Sequence, residues 1–253
     1  MTTWIFLRGL TREAAHWGRF TTVFQQALPR ARILTLDLPG NGEHRRQTSP
    51  LSVAGMVAAC RDECIRRGIQ TPVTLLAMSL GAMVAAEWAR VAPDELDGCV
   101  LINTSMRPFS PLHHRLRPAN YGALLRLALG GASPEVIEQT VLRLTSNQPD
   151  QLREVIPDWA AVRRHRPVSA GNAVRQLLAA ARYRAPREAP GVPLLLLASE
   201  HDQLVDSRCS QAIADAWHCP LRMHPAAGHD LPLDDPRWVT DQVRRWLQSA
   251  PGA

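Results

Sequence analysis

Pro72-Val73-Thr74-Leu75-Leu76-Ala77-Met78-Ser79-Leu80-Gly81 carries the strongest fold signal in the chain. An apolar run, Pro72 to Met78, stops at a serine, and a helical pattern, Leu80 to Val91, starts at once. A short continuous apolar run predicts a strand buried on both faces, and the abrupt change of period predicts a tight strand-to-helix turn. A serine on such a turn is lifted above the sheet edge with the next backbone N–H aimed at the same point. The small residues two before and two after it, Ala77 and Gly81, let strand and helix approach, so the pattern is GxSxG with alanine for the first glycine. Taken alone, the stretch equally fits a serine that merely caps the following helix.

Working outward, apolar runs and helical patterns alternate. Strands are predicted at Trp4–Leu7, Arg32–Leu38 and Gly98–Asn103, with helices at Ala15–Leu28 and Ser52–Arg67, the latter ended by Gly68. From Ser105 to Pro190 no run reads as a buried strand; helical patterns at Tyr121–Leu129, Glu135–Leu144, Gln151–Arg163 and Ala170–Arg182 fill that segment. Strand character resumes at Val192–Ala198 and Leu221–His224, with helices at Arg208–Trp217 and Pro236–Leu247. The order predicts an α/β fold with a mostly parallel sheet flanked by helices. Residues 1–104 and 191–253 form its core, and 105–190 a helical cap or lid insertion.

Composition excludes several chemistries. The chain has 253 residues, 45% hydrophobic and 21% charged, enough for one sizeable core. All 29 basic residues are arginine, so a lysine Schiff base, a pyridoxal phosphate lysine and a Walker-type phosphate loop are ruled out. Five cysteines without CxxC spacing suit neither a disulfide framework nor a zinc ribbon and predict a reducing compartment. Cys60 and Cys64, at i and i+4, read as buried hydrophobes, and no metal site is predicted. With no basic leader before Trp4 and no membrane-length apolar run, a cytoplasmic protein off the membrane is expected. The net charge of +6 is unevenly placed: residues 105–190 carry 13 Arg against 6 acids, or +7, and the rest 16 against 17. Without a zinc finger, an arginine-rich tail or an aromatic-plus-basic sheet, nucleic acid is not an expected partner.

A serine nucleophile needs a base to take its proton and an acid to orient that base, in the chain order Ser, Asp or Glu, His on this kind of sheet. Asp202 follows the strand Val192–Ala198, and His229, in Gly228-His229-Asp230, follows the strand Leu221–His224. Both fall at carboxyl ends of strands, where open α/β sheets build sites. Glu200 and Asp206 are the alternative acids. Eight further histidines lie in early loops, in the insertion or beside strands without the Gly-His context.

With these blocks in place, the chain resembles the α/β-hydrolase-fold serine hydrolases over nearly its whole length. The likeness rests on Leu7-Arg8-Gly9-Leu10, Asp37-Leu38-Pro39-Gly40-Asn41-Gly42, the Ser79 turn, Asp202 and Gly228-His229. It implies Ser79 as nucleophile, His229 as base, Asp202 as acid, and the backbone N–H groups of Leu10 and Leu80 as oxyanion hole. Gly9 and Trp17 are the candidate substrate contacts, with a core position beside Phe20 the favoured alternative for Trp17. Arg8 stands where the family carries histidine; since the donors are backbone groups, Arg8→His is expected to keep activity within about tenfold. The two antiparallel strands that usually open the family's sheet are missing. The implied activity is cofactor-independent cleavage of an acyl ester or thioester, with amide hydrolysis, C–C bond hydrolysis, acyl transfer and perhydrolysis open to the same triad. The competing readings are a non-catalytic small-ligand binder and a docking protein that uses the basic insertion. An anionic substrate or an acidic carrier protein is what that charge would attract, the carrier by analogy with pimeloyl-carrier-protein methyl ester esterases, and the signature is a turnover that falls with added salt.

Overall fold

The apolar runs pair as one sheet. In this computed structural model, which describes residues 2–129 and 131–249, the sheet has six strands: β1 (Thr3–Leu7), β2 (Arg32–Leu36), β3 (Val73–Met78), β4 (Leu96–Ile102), β5 (Leu194–Ser199) and β6 (Leu221–His224). Their order is β2-β1-β3-β4-β5-β6 and every pair is parallel. The ends of the proposed core segments, Met1 and residues 250–253, lie outside the described residues, as does Gly130.

Side-chain alternation along each strand splits the core in two. Ile5, Leu7, Leu75, Ala77 and Leu101 face one layer, packed with α2 (Val53–Arg66), α3 (Leu80–Val91) and α9 (Arg208–Trp217). Trp4, Phe6, Leu76, Met78 and Ile102 face the other, against α1 (Phe20–Ala27) and α11 (Pro236–Ser249). β3 and β5 are buried along their full length, as strands covered on both faces require. Between β4 and β5 lie α4 (Leu112–Arg115), α5 (Tyr121–Leu129), α6 (Pro134–Thr145), α7 (Ile156–His165) and α8 (Ala170–Arg182). The only strand-like contact described there is an isolated bridge from Arg107 to Arg184. A four-residue turn of helix, α10 (Leu231–Asp234), precedes α11. Among the described residues, no helix is long and apolar enough to cross a membrane.

Two expectations change. The helix predicted over Ala15–Leu28 is a 3₁₀ turn, Ala14–Trp17, followed by α1, because Gly18 takes φ +49 and breaks the run. β2 stops at Leu36 rather than Leu38, because Asp37 turns its carboxylate to accept from the Ala14 N–H at 2.7 Å and the Glu43 N–H at 3.0 Å. That capture needs glycine at 42, whose φ is +49 and where a Cβ would lie 1.9 Å from the Asp37 carboxylate.

Candidate active site

Ser79 occupies a strained turn between β3 and α3, with φ 54 and ψ −117. A non-glycine residue there costs about 1–3 kcal/mol and persists only where its surroundings hold it. The Ser79 N–H donates to Ile102 O at 2.9 Å, and Thr104 Oγ1 donates to Ser79 O at 3.1 Å. Gly81 is obligatory, since a Cβ would stand 2.5 Å from Leu7 O. The Ser79 side chain makes no capping hydrogen bond to α3, so the plain capping role does not describe it. It lines a cavity of ≈ 110 Å³ shared with Gly9, Leu10 and His229.

His229 and Asp202 are brought together. The imidazole Nδ1 lies 2.7 Å from Asp202 Oδ2, with both side chains buried. Asp202 Oδ1 accepts from the N–H groups of Leu204 and Val205 at 2.8 and 2.9 Å, which fixes the carboxylate plane. The alternative acids are elsewhere. Asp206 is held by Arg208 at 2.8 Å and faces Arg117, which together keep its carboxyl far below the usual range, while Glu200 is exposed. The loop carrying His229 is pinned by Asn103, at the end of β4, whose Nδ2 donates to His229 O at 2.8 Å and whose Oδ1 accepts from the Ser199 N–H at 2.8 Å. Gly228 lets the chain after α6 pass close by: a Cβ there would meet Thr145 O at 2.8 Å.

The Gly9–Leu10 loop sits beside the serine, close enough that a Cβ on Gly9 would lie 3.1 Å from Ser79 Cβ. Leu10 lines the cavity, whereas the Leu80 side chain is in the core and only its backbone, the first turn of α3, can face a reactant. Trp17 takes the core position rather than lining the cavity. It packs in the core against Phe6 and Phe20, with centroids 5.2 and 5.4 Å away, and lies behind Arg8, whose guanidinium covers its ring at 4.8 Å.

Arg8 has a task that the sequence did not disclose. Its two Nη groups donate to the two oxygens of Asp230 at 3.0 and 2.5 Å, and both residues are buried on the cavity wall. Burial acts to raise the Asp230 carboxyl, but Arg8, Arg12 and His229 outweigh it, and the net shift is downward.

The segment between β4 and β5 takes part in four more buried contacts. Glu138 of α6 accepts from Arg12 and from Arg163, each at 2.6 Å. Trp159 of α7 lies under the Arg12 guanidinium at 4.2 Å. Gln176 of α8 accepts from the Thr11 N–H at 2.9 Å and donates to Asn41 at 2.8 Å. Asp234 of α10 accepts from Ser146, Asn147 and Gly228, although burial keeps its carboxyl raised. Glu138, Gln176 and Asp234 left no local signature in the sequence, because each acts across more than a hundred residues or through a fold only the sheet creates. Asp230 had one, its place directly after His229.

The chain matches the model of the Alpha/beta hydrolase family over residues 4–242. Among solved structures it is similar to an enol-lactonase from Burkholderia xenovorans, with a TM-score of 0.78 at 15% identity over 98% of this chain and 92% of that one. It also resembles a thermophilic esterase from Thermogutta terrifontis, solved with malate bound, with a TM-score of 0.73 at 22% identity over 98% and 90% of the two chains. A curated relative, the chloroplastic protein PHYLLO of Arabidopsis thaliana, is 25% identical over 130 residues, which are 49% of this chain and 7% of that much longer protein.

Proposed function

The chain belongs to the Alpha/beta hydrolase family, and on that premise we propose that it is a cofactor-independent serine hydrolase that cleaves a carboxylic ester or thioester. The observation that carries the reading is the His229–Asp202 contact of 2.7 Å beside a serine held at φ 54 on the wall of the same cavity. Asp202 holds the proton on Nδ1, which leaves Nε2 as the base. Ser79 Oγ attacks the acyl carbon as its proton passes to Nε2, and the oxyanion is held by the N–H groups of Leu10 and Leu80. Collapse expels the alcohol or thiol, which takes the proton from His229 and leaves acyl-Ser79. Water then attacks, again giving its proton to His229, and the acid departs as Ser79 recovers the proton. In this reading the helices of residues 105–190 serve as the lid, a role supported by Leu124, Val141 and Leu144 lining the same cavity as Ser79. Five free cysteines suit the reducing cytoplasm as its compartment.

A fluorophosphonate probe and a panel of acyl esters and thioesters test this reading. Labelling and turnover are expected in the wild type and neither in Ser79→Ala; a wild type inert to both is a ligand-binding protein on a hydrolase fold. An acidic carrier protein is the partner we propose for the basic segment, although much of that charge is already engaged. Arg163, Arg164, Arg166 and Arg117 are paired with Glu138, Glu135, Glu13 and Asp206, and Arg115 is buried against the Ala180 and Ala181 carbonyls. Its test is a carrier-linked ester whose kcat/KM falls with salt more steeply than that of a neutral ester.

A further inference from the structure

We infer that Arg12 is an anchor for a carboxylate, so that the substrate class is an acyl ester or thioester whose acyl chain carries a free acid at its far end. The inference rests on the hydrolase reading above and names the substrate of that same site.

Arg8 and Arg12 both line the cavity that holds Ser79, and they are neutralised differently. Arg8 spends both Nη groups on one carboxylate, Asp230. Arg12 gives only Nη1 to Glu138, and Glu138 is shared with Arg163. Two guanidinium groups thus divide one carboxylate. Arg163 keeps a side-chain exposure of 19% and can be hydrated, whereas Arg12 has 8%. The surplus positive charge therefore falls on the buried partner, and Arg12 Nη2 has no hydrogen-bond partner among the described residues. A buried donor on a charged group left without an acceptor is costly, and in a native structure it points to a ligand or ordered solvent that supplies one.

Position supports the same conclusion. Arg12 is clamped by Glu138 on one side and the Trp159 ring at 4.2 Å on the other, so its free edge is held rather than mobile. Its N–H donates to Gly9 O at 3.2 Å, which closes the turn that also carries Leu10. Anchor and oxyanion donor therefore sit on one turn, and fixing a remote group of the substrate fixes the carbonyl at Ser79. Apart from Arg12 itself, the Arg8–Asp230 pair, the catalytic side chains, Thr11 and Thr145, the wall is apolar: Leu10, Met78, Leu124, Val141, Leu144 and Leu204. That suits a methylene spacer between an ester at one end and a carboxylate at the other, and guanidinium is the side chain best matched to a carboxylate's two oxygens.

The test compares monomethyl esters of succinic, glutaric and adipic acids with the corresponding dimethyl esters, which have the same spacer and no charge. The expected result is a kcat/KM for the best monoester about 10- to 100-fold above its diester, the range of a charge-assisted hydrogen bond. In Arg12→Gln and Arg12→Lys that ratio is expected to fall by most of this factor, whatever happens to the absolute rates. A wild-type ratio near one, or a variant that slows both esters equally, overturns the anchor and leaves the hydrolase reading standing. Loss of all turnover in the wild type overturns that reading instead. Even then the site is read by binding: glutarate should raise the unfolding midpoint of Ser79→Ala and not of Ser79→Ala/Arg12→Gln, and equal shifts in both would sink the proposal.

Discussion

The carboxyl edge of the sheet and the helices between β4 and β5 meet at one cavity and hold it by different means. On the sheet side, Ser79 follows β3 directly, Asp202 stands three residues past β5 and His229 five residues past β6. Their backbones are fixed by parallel ladders, such as Met78 with Ile102 and Ser199 with His224, and by Asn103 bridging two loops. On the helical side nothing is fixed by a ladder. Glu138, Trp159, Gln176 and Ser146 reach across as separate buried side-chain contacts to Arg12, Thr11, Asn41 and Asp234. Chemistry is therefore expected to sit with the first region, and substrate choice and closure with the second.

The sharpest way to break that division is at the sheet edge. Ser79→Ala, His229→Ala and Asp202→Ala are each expected to lower kcat by about 10⁴-fold or more, because the three act as a unit. The double variant Ser79→Ala/His229→Ala should be within about tenfold of either single. Steady-state kinetics on whichever ester is turned over decides it, and additive losses, or an Asp202→Ala variant that keeps its rate, would dissolve the unit.

A smaller effect is expected at Arg8, and on stability. Removing one member of a buried ion pair strands the other, at a cost of about 3–5 kcal/mol, whereas replacing both by apolar residues of similar volume is often neutral. Arg8→Met should thus lower unfolding stability by about that amount by leaving Asp230 alone beside His229, and Arg8→Met/Asp230→Leu should recover most of it. The tenfold tolerance of activity expected of Arg8→His concerns the oxyanion donors; through the ion pair the same variant is also expected to lose stability. Chemical denaturation of the three variants measures this. A double variant as unstable as Arg8→Met would mean that the pair matters for shape rather than charge.

How far the sequence is legible follows the same division. Strand positions, sheet type, the Ser79 turn and the order of Asp202 and His229 are local or periodic signals, and the structure places them within a few residues of expectation. α3, α5, α8 and α9 match their predicted limits. The merged helix over Ala15–Leu28 failed because the apolar period continues across Gly18 while the backbone does not. Trp17 is a cavity candidate only by its place after the oxyanion loop, while the neighbouring Phe20 points to the core, where the 3₁₀ turn puts it, and Arg8 takes the position in front. The pairing of Arg12 with Glu138 spans 126 residues and depends on how α6 docks, which no single-sequence pattern encodes.

The last effect is the smallest and tests whether the helical side is the first to loosen. His16 is buried at that junction, in a small cavity it shares with Glu138, Arg163 and Arg166, and its ring faces Trp159 at 5.7 Å. Its Nδ1 accepts from the Glu13 N–H at 3.0 Å, as the neutral ring requires. Burial first, then Arg12, Arg8 and Arg163, hold its pKa well below the ordinary 6.5. The unfolded chain consequently takes up this proton before the folded one does. The stability contributed by neutral His16 is complete above about pH 6.5 and is lost as pH falls towards the depressed folded value, at up to about 1.4 kcal/mol per pH unit. For a chain of this size the unfolding midpoint should drop by up to roughly 3–6 °C per unit below pH 6.5 on this account. His44, lowered mainly by burial, adds a slope of the same sign, so the difference between wild type and His16→Phe isolates the residue. The variant keeps a ring against Trp159 and should show the shallower acid limb. Parallel midpoint curves from pH 8 to pH 5 would place the acid sensitivity elsewhere, and greater protease susceptibility in residues 105–190 of the wild type at pH 5.5 than in the variant would locate it at the helical side.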